Sequence, residues 1–468
     1  MLSLLNSLYQ NQSLVSNNSI IDWIGQRNQN TLVNVDTVPF KNLNKWHFEN
    51  NTGNLVHDSG RFFSIEGIKV RTDYGNSKEW DQPIINQPEI GFLGIIAKEI
   101  DGVLYFLMQA KIEPGNVNCV QISPTLQATK SNYNCVHQGK SPLYLNYFQN
   151  VRPENIILDQ LQSEQGARFL RKRNRNIIIR VEEDIPVYED FCWMSISQIK
   201  QMMLRDNMVN MDTRTVLSGI LWNEAFKLEF DVSGIYKFLE NNNVSEFWKE
   251  IAISSISTEG IYTINNVLSW LSQLKSQYDL FVNRISLKEA KSWIIKEDEI
   301  VREDRKYFRV IGANITISNR EVQSWSQPLV QPMQEGICAF IVKKINNIYH
   351  FLVQAKLECG NFDIFELAPT VQCLTGGYTD VSVKPLFLDY ILNISKDQIL
   401  FDTLQSEEGG RFFKEQNRNM IVIAKDDFNC SIPNTYIWMT LGQLYQFLKF
   451  NNYLNIQARS LLSLLSFK

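Results

Sequence analysis

Histidine is scarce in this chain. His47, His57, His137 and His350 are the only four in 468 residues, and none stands in HxxxH or HExxH spacing, so a dedicated zinc site is not expected. The seven cysteines are scattered without a CxxC pair; the odd number argues against a disulfide framework and suits a reducing cytoplasm. Nowhere do 18 apolar residues run uninterrupted, so no membrane span is expected. The opening MLSLLNSLYQNQS has neither a basic region nor a small-residue cleavage site, which predicts a helix rather than a signal peptide. Cations are not in surplus: 46 Lys and Arg against 50 Asp and Glu give a net charge of −4, with no electrostatic footprint for nucleic acid. Arg171-Lys172-Arg173 is a short cationic run, read as a solvated helix end. A Gly-rich dinucleotide fingerprint is missing, and so is any Gly/Ser-rich or Pro-rich linker. With 44% hydrophobic and 21% charged residues, the remainder is ordinary for a globular protein.

What the chain does have, it has twice. Gln109-Ala-Lys-Ile-Glu113 returns as Gln354-Ala-Lys-Leu-Glu358 at an offset of 245. The same offset carries Trp80 onto Trp325, Gly115-Asn116 onto Gly360-Asn361, Pro124-Thr125 onto Pro369-Thr370, Gln127 onto Gln372, Tyr133 onto Tyr378 and Arg214 onto Arg459. A period this long means two domains rather than a solenoid, whose repeat is roughly 20–50 residues. The preserved residues are largely polar, whereas a duplicated core needs only an apolar pattern. Gly115 and Pro124 are read as turn formers; that does not account for the Gln, Lys, Glu and Tyr.

Three segments are expected: a first module over residues 1–217, a helical connector over 218–266 and a second module over 267–468. The connector is expected to be helical because Ile235, Phe238 and Leu239, then Val267, Leu268, Leu271 and Leu274, recur at helical spacing. Asp101-Gly102 marks a hairpin turn between the apolar runs that start at Phe92 and Val103, with Asn346-Asn347 in the same place later. A helix is predicted around residues 160–173, a strand over 177–181, and a helix after the capping box Ser195-x-x-Gln198, mirrored by Thr440-x-x-Gln443. Mixed strands and helices imply an α/β (α+β) architecture.

A strand alternates its faces, so Gln109, Lys111 and Glu113 share one side. Either they form an exposed face with a Lys–Glu pair, or they line a pocket, as the recurrence at Lys356 and its neighbours suggests. The next stretch gathers Ser123, Thr125, Gln127, Thr129, Ser131, Asn132 and Tyr133, followed by His137. That density of hydroxyls and amides suits a polyol or a phosphate. The twin keeps Thr370, Gln372 and Tyr378 but loses the equivalents of Ser123, Thr129 and Asn132, and nothing obvious replaces His137. A third cluster holds Arg168 and Arg175, repeated as Arg411 and Arg418; each is either a diphosphate clamp or a salt bridge between modules. Trp80 and Trp325 offer faces for a base, or simply fill the core.

The strings QAKIEPGN, QISPTLQATKSNY and QAKLECGNFD, with EGGRF, NRNM and FNNYLNIQARSLL near the end, resemble the NDP-hexose 2,3-dehydratase family over essentially the whole chain. The resemblance implies two tandem Nudix-like mixed-sheet modules without the hydrolase's metal-binding box, acting without a cofactor. The substrate it implies is a dTDP-linked 4-keto-6-deoxyhexose that loses water across C2 and C3. Within that frame Lys111 polarises the C4 carbonyl or stabilises the enolate, Tyr133 and His137 transfer protons, and Glu113 is an alternate base. Ser123, Thr125, Gln127, Thr129 and Asn132 hold sugar and phosphate, and Arg168 and Arg175 meet the diphosphate. The second copy binds through Lys356, Gln372, Tyr378 and Arg418 without reacting. A homodimer is expected from the prevalence of two-fold assemblies. A non-catalytic sugar-nucleotide-binding protein and a Nudix-type pyrophosphatase are the alternatives.

Overall fold

A computed structural model describes residues 1–10, 13–130, 141–320, 322–375 and 384–468. The two copies fold into a mixed α+β structure with four sheets, two of seven strands and two of five. In the first seven-stranded sheet the order is Ile156–Ser163, Arg173–Val181, Gly91–Ile100, Val103–Ile112 and Phe191–Ser195, with Val120–Ser123 and Leu126–Ala128 added beside the central pair. Arg173–Val181 runs parallel to Gly91–Ile100, and Gln416–Ile423 runs parallel to Gly336–Ile345 in the twin sheet; the remaining strand-to-strand ladders among the described residues are antiparallel, with four isolated parallel bridges outside them.

Local rules explain the hairpins and helix starts. Asp101 and Gly102 adopt φ of 48° and 76°, and Asn346 and Asn347 adopt 49° and 64°, the doubly left-handed turn whose twist matches two antiparallel strands. Both capping boxes form, starting the helices Ile196–Met203 and Leu441–Leu448. The connector is helical, with Trp222–Glu229, Val232–Asn241, Glu246–Ile256 and Ile264–Gln277 burying Ile235, Leu239, Val267, Leu271 and Leu274. Leu268 instead faces outward. Among the described residues no helix is long and apolar enough to cross a membrane.

The helix expected around residues 160–173 is not there. Ile156–Ser163 is a strand pairing antiparallel with Arg173–Val181, and a turn joins them. The buried run Ile177-Ile178-Ile179 needs a neighbour to accept its backbone hydrogen bonds, and this pairing overrides local helical propensity. Nor is Arg171-Lys172-Arg173 a solvated helix end. Arg171 has a φ of 49°, and Lys172 is buried with its ammonium on the Glu89 carbonyl.

The five-stranded sheets are shared between the copies. Val33–Val38 of the first copy pairs with Phe308–Ile317 of the second, and Leu280–Ile285 of the second pairs with Ser64–Thr72 of the first. Each copy thus covers an edge that the other would leave open. The copies also interlock at their repeated turns. Gly115 donates its N–H to Gly409 O at 2.7 Å and accepts from Lys414 N at 2.7 Å; Gly360 makes the matching bonds with Gly166 and Arg171 at 2.7 and 2.6 Å. One apolar core runs through both copies, joining Phe106, Met194 and Phe226 to Phe340, Phe351 and Leu461.

Candidate active site

A cavity of about 770 Å³ opens where these interlocked turns meet the first seven-stranded sheet. Lys111, at the end of Val103–Ile112, projects into it with its ammonium 3.1 Å from Gln127 O and 3.7 Å from Glu113 Oε1. Glu113 also accepts from Arg320 of the second copy at 3.1 Å, and the Arg320 guanidinium lies 5.9 Å from the Trp325 ring centroid. The second copy supplies a further arm, Glu408-Gly409-Gly410-Arg411. Arg411 stacks 4.1 Å over Phe63, bonds Gln87 Oε1 at 3.2 Å and bonds its neighbour's carbonyl, Gly410 O, at 2.7 Å. Also lining the cavity, His57 packs edge-on against Trp46 and Phe62, with centroids 5.4 and 4.8 Å apart.

Buried arginines hold the arms in place. Arg214, on the helix Met211–Ser218, donates to Gln405 Oε1 at 2.8 Å, Ser406 O at 2.6 Å and Ser460 Oγ at 2.8 Å. Its counterpart Arg459 grips Ser163 and Thr215 in the same way. These turns precede Glu164 and Glu407, so each arm is anchored by the other copy's helix.

The cavity concentrates charge away from water. Burial pushes the Glu408 carboxyl up to about 7, a rise opposed by Arg411 and reinforced by Glu113 and Glu164. Burial also drives Asp212 well above the ordinary carboxylate range, with the negative charges of Glu408, Glu164 and Glu113 adding to it and Lys111 opposing it. The Lys172 ammonium falls to about 8 because it is desolvated, despite the Glu164 carboxylate beside it. Carboxyl groups near neutrality are what proton transfer at carbon requires.

Of the residues singled out from the sequence, Lys111, Glu113, Gln127, Thr129, Trp325 and Arg411 line this cavity together. Ser131, Asn132, Tyr133, His137 and Tyr378 lie outside the described residues. Gln109 and Ser123 sit on paired neighbouring strands and are not among the lining residues. Thr125 closes the sheet: its hydroxyl bridges Leu107 O and Ile96 N, as Thr370 bridges Leu352 O and Ile341 N. Arg175 clasps Asp159 through two nitrogens at 2.7 and 2.5 Å, and Arg418 clasps Asp402 at 2.8 and 2.6 Å. Both pairs form within one copy, across neighbouring strands. Arg168 stacks 4.2 Å over Phe308 of the second copy, with its charge acting on Glu358, and Trp80 donates to Gln82 Oε1 at 3.0 Å and packs beside Cys359; neither lines this cavity. In the second copy Lys356 donates to Gln372 O at 3.2 Å, and the Gln372 amide to Glu358 Oε1 at 3.0 Å.

Asp212, Glu408, Lys172, Arg320 and the aromatic corner at His57 were not picked out from the sequence. A signal existed for the first three. Asn210-x-Asp212-x-Arg214 repeats as Asn455-x-Gln457-x-Arg459, Glu408 stands where the first copy has Gln165, and Lys172 where the second has Glu415. Inside a frame otherwise preserved, each changes its ionisable character between copies, and all three face this cavity.

Comparison with known proteins adds an independent finding. A family model described as NDP-hexose 2,3-dehydratase matches residues 17–220 and again 264–465. The chain is 43% identical over 446 residues to a dTDP-4-dehydro-6-deoxy-alpha-D-glucopyranose 2,3-dehydratase of Saccharopolyspora spinosa, covering 94% of this chain and 89% of that protein. It is 40% identical over 448 residues to a protein of the same description from Amycolatopsis orientalis, covering 94% and 88%. A third, from Streptomyces violaceoruber, is 39% identical over 444 residues, covering 94% and 95%.

Proposed function

The chain belongs to the NDP-hexose 2,3-dehydratase family, and on that premise we propose that it removes water across C2 and C3 of a dTDP-linked 4-keto-6-deoxyglucose. The product is a 3,4-diketo-2,6-dideoxy sugar nucleotide, a step of deoxysugar biosynthesis. The observation that carries this reading is Lys111, a buried ammonium among carboxyl groups drawn from both copies. The C3 hydrogen is acidic because it lies α to the C4 ketone, so a cation at the C4 oxygen stabilises the enolate while a carboxylate takes the proton. In this reading Lys111 meets the C4 oxygen and Glu408 is the base. Arg411 and Arg320 meet the diphosphate, whose oxygens match the guanidinium fork, and Trp325 and the corner at His57 offer ring faces to the base. The modules are read as Nudix-like, supported by one parallel pair within an otherwise antiparallel sheet. The boundaries 1–217, 218–266 and 267–468 belong to the same proposal.

Incubation with dTDP-4-keto-6-deoxyglucose should give a product lighter by one water. Release of nucleoside monophosphate, or an unchanged mass, would refute the dehydratase reading.

The role of Glu408 makes its own prediction. A base must be ionised to work, and burial holds this one at about 7. Accordingly kcat/KM should be full above that pH and fall tenfold per pH unit below it. Glu408→Gln should cost about 10²–10⁴-fold in kcat, and a pH–rate series on both proteins checks the assignment. An acid limb that survives in the variant would rule Glu408 out.

A further inference from the structure

Asp212 is a buried carboxyl group in the wall of the cavity. It follows the N-cap Asn210 on the helix Met211–Ser218, and only 3% of its surface is exposed. It lines the cavity, yet among the described residues its carboxyl makes no hydrogen bond or ion pair. Arg214, two residues further along the helix, is committed to Gln405, Ser406 and Ser460. A helix N-terminus ordinarily favours a carboxylate, but burial and the charges of Glu408, Glu164 and Glu113 outweigh it and drive Asp212 well above the ordinary carboxylate range, toward its protonated form. The second copy has Gln457 at the matching position, with Oε1 buried and unpaired. An amide can accept a hydroxyl's hydrogen bond but cannot give up a proton.

We propose that Asp212 is the general acid of the dehydration, donating its proton to the C2 hydroxyl as the C2–O bond breaks. The inference rests on the dehydratase reading above. The base takes the C3 proton, and the C–H electron pair becomes the C3–C4 double bond of an enolate held by Lys111. That enolate collapses to the C4 ketone, its electrons form the C2–C3 double bond, and the C2 oxygen departs as water with the proton from Asp212. The resulting C3 enol loses its O–H proton to the Asp212 carboxylate and gains one at C2 from the base, so both carboxyls are restored. The Asp at 212 against Gln at 457 then explains why the first cavity reacts.

The test separates leaving-group protonation from deprotonation at carbon. Asp212→Asn, and Asp212→Gln, which borrows the twin's residue, should each lower diketo-sugar formation at least ~100-fold and leave dTDP affinity within about threefold. In deuterium oxide both variants should still incorporate deuterium at C3 of recovered substrate, because base and enolate cation remain. A 2-deoxy-2-fluoro analogue should release fluoride within about tenfold of the unmodified protein's rate, since fluoride leaves without a proton. Full turnover of the natural substrate by either variant overturns the assignment. So does loss of C3 exchange or of fluoride release in a variant that still binds dTDP. If the unmodified protein forms no diketo sugar, the dehydratase reading fails instead.

Discussion

Lys111→Ala should abolish diketo-sugar formation, with kcat/KM falling by at least about 10²–10³-fold, the cost of removing one preorganised enolate-stabilising group. The geometry supports a loss of chemistry rather than of structure. Among the described residues its ammonium meets the Gln127 carbonyl at 3.1 Å and the Glu113 carboxylate at 3.7 Å, and the strand pairing with Gln121 is made by its backbone. The neighbouring acids have other partners, Glu113 in Arg320 and Glu408 in the Gly410 N–H at 3.0 Å. The variant should therefore unfold at nearly the temperature of the unmodified protein and still bind dTDP, whose diphosphate is assigned to Arg411 and Arg320. Product mass and steady-state rates measure the first claim, and thermal unfolding the second. Unchanged turnover would show that the C4 oxygen is stabilised by another group.

Gly115→Ala should be among the most damaging single-methyl additions at the described glycines. A Cβ built there falls 1.7 Å from Phe412 O, 2.7 Å from its carbonyl carbon and 2.8 Å from Gly409 O. All three atoms are backbone, so no rotamer change relieves the clash. Sliding the turn is equally blocked, because its N–H and C=O are both bonded to the second copy at 2.7 Å. The expected cost is about 3 kcal/mol or more, the upper range for overpacking a rigid site, seen as a lowered Tm. Activity should fall with it, since Gly409 begins the segment that carries Gly410 and Arg411 into the cavity. Gly360→Ala meets Phe169 O at 1.8 Å and should lower Tm comparably. If Gly115→Ala kept its Tm, the two copies would not be locked as described.

These two residues show how much of the site was legible. Lys111 and Glu113 could be read from strand alternation and recurrence, and they do face one cavity. Gly115 was legible only as a turn former, although what it meets is another backbone. The arginines were harder. Arg168 and Arg411 occupy equivalent positions in the repeat, yet Arg411 enters the first copy's cavity and Arg168 reaches the second copy, because each arm crosses over. The expectation of a helix at residues 160–173 failed for a related reason: Ile156–Ser163 is a strand because Arg173–Val181 lies beside it, which no local pattern records.

The sequence alone determined the duplication, the family, the hairpin turns at Asp101-Gly102 and Asn346-Asn347, the capping boxes, and the polar face that begins the site. Each of these depends on residues a few positions apart, or on direct repetition, so each is written locally. Tertiary structure decided which copy's strands and arms complete which sheet and cavity. It also decided that Asp212 is driven well above the ordinary carboxylate range and that Glu408 is raised to about 7. Both outcomes come from desolvation and from charges brought close by folding: Glu113 and Glu164 of the first copy stand beside Glu408 and Arg411 of the second only once the two copies interlock.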